Sequence, residues 1–148
     1  MRQLLVLFLA LTTLLSCKQD AKTVKPTEIE SSKEAPSSVT SVKLNDGKKW
    51  IANIETTVGI EKMQLIMNSF SDKESVNEYK LLKEKLEEEF TNIFTLCTMK
   101  GESHNQLHNY LKPIIPFFDG LDSNELVTCK TNFNNLEIHL KEYSNFFE

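Results

Sequence analysis

The sequence predicts an all-α protein, an antiparallel up-down-up-down four-helix bundle that follows a disordered tether. Three observations predict it. Apolar residues recur at three-and-four spacing in four successive segments between residues 56 and 147, the period of one helix face. The connections between these segments are short, which makes consecutive helices antiparallel neighbours. Residues 18–42 are different: Lys, Glu, Ser, Thr and two Pro dominate and no aromatic residue occurs. Such a stretch buries too little apolar surface to offset its chain entropy.

The domain spans residues 43–148, enough for one modest core. Leu44-Asn45-Asp46-Gly47 reads as a turn. Lys48 to Ile54 then forms a short extended segment that brings Trp50 onto the core. Thr56 or Thr57 caps a first helix with Ile60, Met63, Ile66, Met67 and Phe70 on its stripe. Ser71 to Glu74 is a polar turn. The second helix carries Val76, Tyr79, Leu82, Leu86, Phe90, Ile93 and Cys97, and Gly101 ends it as a C-terminal cap. Its KEKLEEE face is a solvated surface of Glu and Lys neighbours.

Ser103 with Gln106 three residues on fits a capping box and starts a third helix, striped by His104, Leu107, Leu111, Ile114 and Phe118. Pro113 and Pro116 kink or split it, and Gly120 ends it. Asp122 with Glu125 makes a second capping box. The fourth helix carries Leu126, Cys129, Phe133, Leu136, Leu140, Tyr143 and Phe147.

The chain opens MRQLLVLFLALTTLLSCKQD. Arg2 supplies positive charge, and Leu4 to Leu15 form an apolar run of signal-peptide length, too short to span a bilayer comfortably. Leu14-Leu15-Ser16-Cys17 resembles the lipobox of bacterial lipoproteins. The resemblance implies that residues 1–16 are a signal peptide and that Cys17 is diacylated and becomes the N-terminus. Two acyl chains then anchor the protein to a membrane without a spanning helix. Lys18 stands where the enterobacterial inner-membrane retention rule wants Asp. By that analogy the lipid sits in the outer membrane of the cell envelope with the domain in the periplasm. Random-coil scaling of the tether, residues 17–42, holds the domain roughly 25–30 Å from the membrane.

The remaining question is chemistry, and it centres on CTMKGESHNQLH at residues 97–108. A rise of about 1.5 Å per helical residue places groups by height. Cys97 and Met99 close the second helix beside the start of the third. His104 and His108 lie low on the third helix, and His139 lies low on the fourth. Cys97, Met99, His104, His108 and His139 therefore fall near one end of the bundle, with Trp50 and Asn53. Thiolate, thioether and imidazole together suit Cu(I). Cys97 with His104 and His108 would suit Zn, because His at i and i+4 share a helix face. The cofactor reading is thus Cu(I) or Zn at these five residues. The alternative assigns them to packing and solvent and makes the protein a tethered interaction module of an envelope complex, with no metal. Cys97 and Cys129 differ in height by more than about 10 Å, too far for a disulfide, so both thiols are expected free.

Several classes are disfavoured. Net charge is −4 and no basic run is interleaved with aromatics, so nucleic acid is not the expected partner. No haem-attachment C-x-x-C-H and no paired Glu-x-x-His occurs. There is no Gly-rich phosphate loop, and Cys97 with His104 lacks an orienting third group, so no enzyme is expected. The lipobox, the KKW segment and the CTMKGESHNQLH stretch together resemble small uncharacterised helical lipoproteins of Bacteroidota, a resemblance that implies no activity.

Overall fold

Asn45 and Lys48 exchange two backbone hydrogen bonds of 2.9 Å around a tight turn. Asp46 and Gly47 both take positive φ there, 49° and 83°. An Asp-Gly pair tolerates that left-handed geometry at least cost. This turn opens the computed structural model, which describes residues 41–148. Residues 1–40, on which the expected signal segment 1–16, the lipidation at Cys17 and most of the expected tether fall, lie outside the described residues.

After the turn the chain is extended and pairs with the C-terminus. Trp50 N–H donates to Phe146 O at 2.8 Å, Glu148 N–H to Trp50 O at 2.9 Å, and Ala52 N–H to Glu148 O at 2.8 Å. The two ends of the domain are thereby clasped in parallel. As expected from the sequence, Trp50 packs against the core.

The described residues form six helices and no strand: α1 (Ile54–Ser69), α2 (Val76–Leu96), α3 (Gly101–Leu111), α4 (Ile114–Leu121), α5 (Leu126–Lys141) and α6 (Tyr143–Phe146). Four of them, α1, α2, α4 and α5, pack together around one core that includes Ile60, Met63, Leu86, Ile114, Leu121 and Leu136. Across α1 and α2, Lys62 meets Glu89 at 3.4 Å. Across α1 and α5, the Phe70 and Phe133 rings lie 5.4 Å apart. Across α2 and α4, the Phe90 and Phe118 rings lie 5.3 Å apart, edge on. No described helix is long and apolar enough to cross a membrane.

Helix ends depart from the sequence expectations. Asn53, not Thr56 or Thr57, caps α1. Thr56 is buried inside the helix and its hydroxyl donates to Asn53 Oδ1 at 2.7 Å. α2 starts at a Ser75 cap, whose Oγ accepts the Glu78 N–H at 3.4 Å, and it stops at Leu96. Gly101 is not its cap: residues 97–100 carry no regular structure, and Gly101, at φ 65°, opens α3. The Ser103–Gln106 box does not form, because Ser103 is already helical and donates to Lys100 O at 3.1 Å. Gln106 is buried and holds the incoming chain instead, its Oε1 accepting the Lys43 N–H at 2.8 Å.

Pro113 does split the third predicted helix, giving α3 and α4. Pro116 falls in the first turn of α4, where its missing N–H leaves no intrahelical bond unmade. α4 ends one residue after Gly120, close to where the sequence expected it, and a Cβ at Gly120 would overlap the Asn132 side chain of α5. Asp122 forms no capping box with Glu125. The Glu125 N–H goes to Ser123 Oγ at 3.0 Å, and Asp122 faces Lys80 and Lys83 at 4.0 and 3.8 Å. The final helix breaks at Glu142, which separates α5 from α6 and frees Phe147 to reach Trp50.

Candidate metal centre

His104 and His108 stand one turn apart on α3. Their rings stack at 4.6 Å with planes 23° apart, and their Nε2 atoms lie 2.7 Å from each other. A helix places i and i+4 side chains over one another, which produces this contact. One of the two nitrogens must carry the shared hydrogen and the other must accept it. Both rings are partly buried. The His108 ring also lies 5.6 Å from the Phe94 ring of α2, which is 43 % exposed.

Burial lowers the pKa of His108 below 6.5, and the positive charges of His104 and Lys112 push it the same way. A neutral imidazole is the form that ligates a metal. Glu102, two residues before His104, is not directed at the pair. Its oxygens accept from Gln106 Nε2 at 2.7 Å and Asn105 Nδ2 at 3.1 Å. Those two hydrogen bonds hold its carboxyl below the usual range.

The other sequence candidates do not join the two imidazoles. Met99 is 8 % exposed and belongs to the core. Cys97 caps α2 and packs against the core, half-buried. His139 lies across α3 from the pair. Its Nε2 is 2.8 Å from Tyr110 O, so that nitrogen donates, and its ring stacks on the Tyr110 ring at 4.7 Å. Tyr110 follows His108 by two residues, about 200° around the helix. His139 Nδ1 is 4.0 Å from Glu142. Among the described residues, no group of three or more His, Cys, Asp or Glu is arranged to hold a metal ion.

Both thiols are free, as expected. Cys129 is fully buried, and its Sγ donates to Ser123 O at 3.3 Å and Leu121 O at 3.5 Å. Burial pushes that thiol's pKa up. Sequence reasoning missed Phe94 as a neighbour of the histidines. The available signal was its place one turn after Phe90 and off the core stripe of α2.

No protein-family model matches the chain, and no curated protein and no solved structure matches it significantly.

Proposed function

We propose that the chain is a non-enzymatic, lipid-anchored protein of the bacterial cell envelope whose helical domain holds a metal ion through His104 and His108. The observation that carries the metal reading is the 2.7 Å separation of their Nε2 atoms. The lipid anchor rests on the order Arg2, apolar run, Ser16, Cys17, with the outer membrane and a periplasmic domain as its location. Nucleic acid is not among the partners of this reading. The up-down-up-down arrangement belongs to it as well. Pairs such as Gly59 with Ile93 and Asn53 with Leu96 support opposite directions for α1 and α2. Gln64 with Leu140 and Phe70 with Phe133 support the same for α1 and α5.

Two imidazoles suit Zn(II). Cu(I) is selected by sulfur donors, and Met99 is packed in the core. Zn(II) is therefore the favoured ion, with Cu(I) the second. Titration of the purified full chain with each ion against a chromophoric chelator tests the reading. Wild type should compete for Zn(II), and His104→Ala and His108→Ala should each lose at least about tenfold in affinity, ~1.4 kcal/mol. Unchanged binding in both variants sinks the assignment. Loss on Cys97→Ser with a preference for Cu(I) returns the site to the sulfur-rich set. Replacing Cys17 with Ser should release the protein from the membrane fraction.

A second reading has its own observation. Ile54, Val58 and Leu96, which are 68 %, 38 % and 51 % exposed, line a shallow groove between α1 and α2. An envelope partner seated there would make the domain an interaction module, and crosslinking in intact cells would find it.

A further inference from the structure

On the metal reading proposed above, the His104–His108 pair would supply half of a coordination shell. Zn(II) in structural sites is almost always held by four protein ligands in a tetrahedron. Two imidazoles of one helix supply two of the four. Among the described residues no third His, Cys, Asp or Glu completes the set. Met99 is packed in the core, the Glu102 carboxylate is occupied by Asn105 and Gln106, and His139 is turned to Tyr110 O.

The pair is tighter than a tetrahedral edge by about half an ångström. At Zn–N distances of about 2.0–2.1 Å, two tetrahedral nitrogens sit about 3.3 Å apart. The Nε2 atoms lie 2.7 Å apart, so an opening of about half an ångström through side-chain rotation admits the ion between them. As the ion enters, the hydrogen on the donating Nε2 is given to water and Nδ1 of the same ring takes one up, so both imidazoles would ligate in their neutral form.

We infer that a second copy of this chain supplies the missing ligands, so that one Zn(II) ion on a two-fold axis is held by His104 and His108 of both copies. A two-fold interface presents the same patch from each subunit, which turns two ligands into four without a further residue type. The patch also carries an apolar element. Phe94 stands beside His108, 43 % exposed, with its other side against Phe90 at 5.1 Å. Brought to the axis with the histidines, the two Phe94 rings would bury apolar surface against the facing helix and exclude water from the ion. The inference rests on the metal reading of the same two residues and adds its partner.

The experiment is a titration of the full chain, in detergent, with Zn(II) alone, read by metal content per chain and by a bifunctional amine crosslinker. The expected result is saturation at one ion per two chains, with a covalent dimer that appears with Zn(II) and disappears with a chelator. Co(II) in place of Zn(II) should give the intense visible bands of a tetrahedral site. His104→Ala and His108→Ala should each abolish the Zn-dependent dimer while leaving circular dichroism unchanged. Phe94→Ala keeps every ligand and should raise the chain concentration needed for dimerisation by about tenfold, ~1.4 kcal/mol. Saturation at one ion per chain with no dimer overturns the shared site while the metal reading stands. Absence of Zn(II) binding overturns both. A Zn-dependent dimer that survives in both histidine variants shows that other residues bridge the copies, and overturns this assignment.

Discussion

Gly59 of α1 lies so close to Ile93 of α2 that a methyl group on it would overlap Ile93 Cγ1. Both residues are buried and the near atom belongs to a branched side chain, so little can give. Gly59→Ala sets two effects against each other. Alanine favours the helix by about 1 kcal/mol, and overpacking a filled core costs about 1–3 kcal/mol. The overlap should win, with a net loss of stability in urea unfolding. A more stable Gly59→Ala protein would show that α1 and α2 part cheaply.

Phe133 joins three elements. Its ring meets Phe70 at 5.4 Å and Tyr79 edge-on at 6.0 Å, and the Lys73 ammonium lies 4.5 Å from its centre. It is 2 % exposed. Phe133→Ala should therefore cost about 3–5 kcal/mol. A change near zero in the denaturation midpoint would place the packed face of α5 elsewhere.

Acid should weaken the fold through His108 first. Its folded pKa lies below 6.5, for burial and the charges of His104 and Lys112 disfavour the imidazolium. Between the two pKa values the unfolded chain binds more protons than the folded one. This contribution to stability is full above pH 6.5 and is lost as pH falls through the folded pKa. Glu55 and Glu102 have lowered pKa values, so their contributions persist until the pH falls below 4.5. Melting temperatures at pH 8 and pH 5 should differ less in His108→Gln than in wild type. Equal differences would assign the effect to other groups.

The clasp between Trp50 and Phe147 gives a prediction with a built-in reporter, since Trp50 is the sole tryptophan. Phe147 is 2 % exposed and stacks on Tyr143 at 5.0 Å. Removing Phe147 and Glu148 deletes that side chain and the hydrogen bonds from Ala52 N–H and to Trp50 O. The loss should be ~3 kcal/mol, with Trp50 emission shifted to the red. Unchanged emission would mean that Trp50 packs without the C-terminus.

The helical class was legible before any coordinates. Tyr79, Leu82, Leu86 and Ile93 lie on one face at a period of 3.6, and all four are buried. The Asp46–Gly47 turn was legible because its chemistry is local. The break at Pro113 was legible because a missing N–H and a ring clash belong to proline wherever it sits. Helix ends were less so. Ser103 and Asp122 match capping patterns, yet α3 already opens at Gly101, the Lys43 N–H claims Gln106, and Ser123 Oγ takes the Glu125 N–H. Of these partners Lys43 comes from a distant part of the chain.

The histidines mark the same division. That His104 and His108 meet follows from four residues of helix, and the sequence determined it by itself. Where His139 points was decided only by the tertiary structure. Helical rise fixes height along a bundle, and by height the three histidines belong together. Rotation about the axis depends on which face of α3 the core takes, and the core takes Leu107, Tyr110 and Leu111. Tyr110 turns its backbone carbonyl and ring to α5, and His139 is held there, while His104 and His108 are left on the far side, His108 beside Phe94.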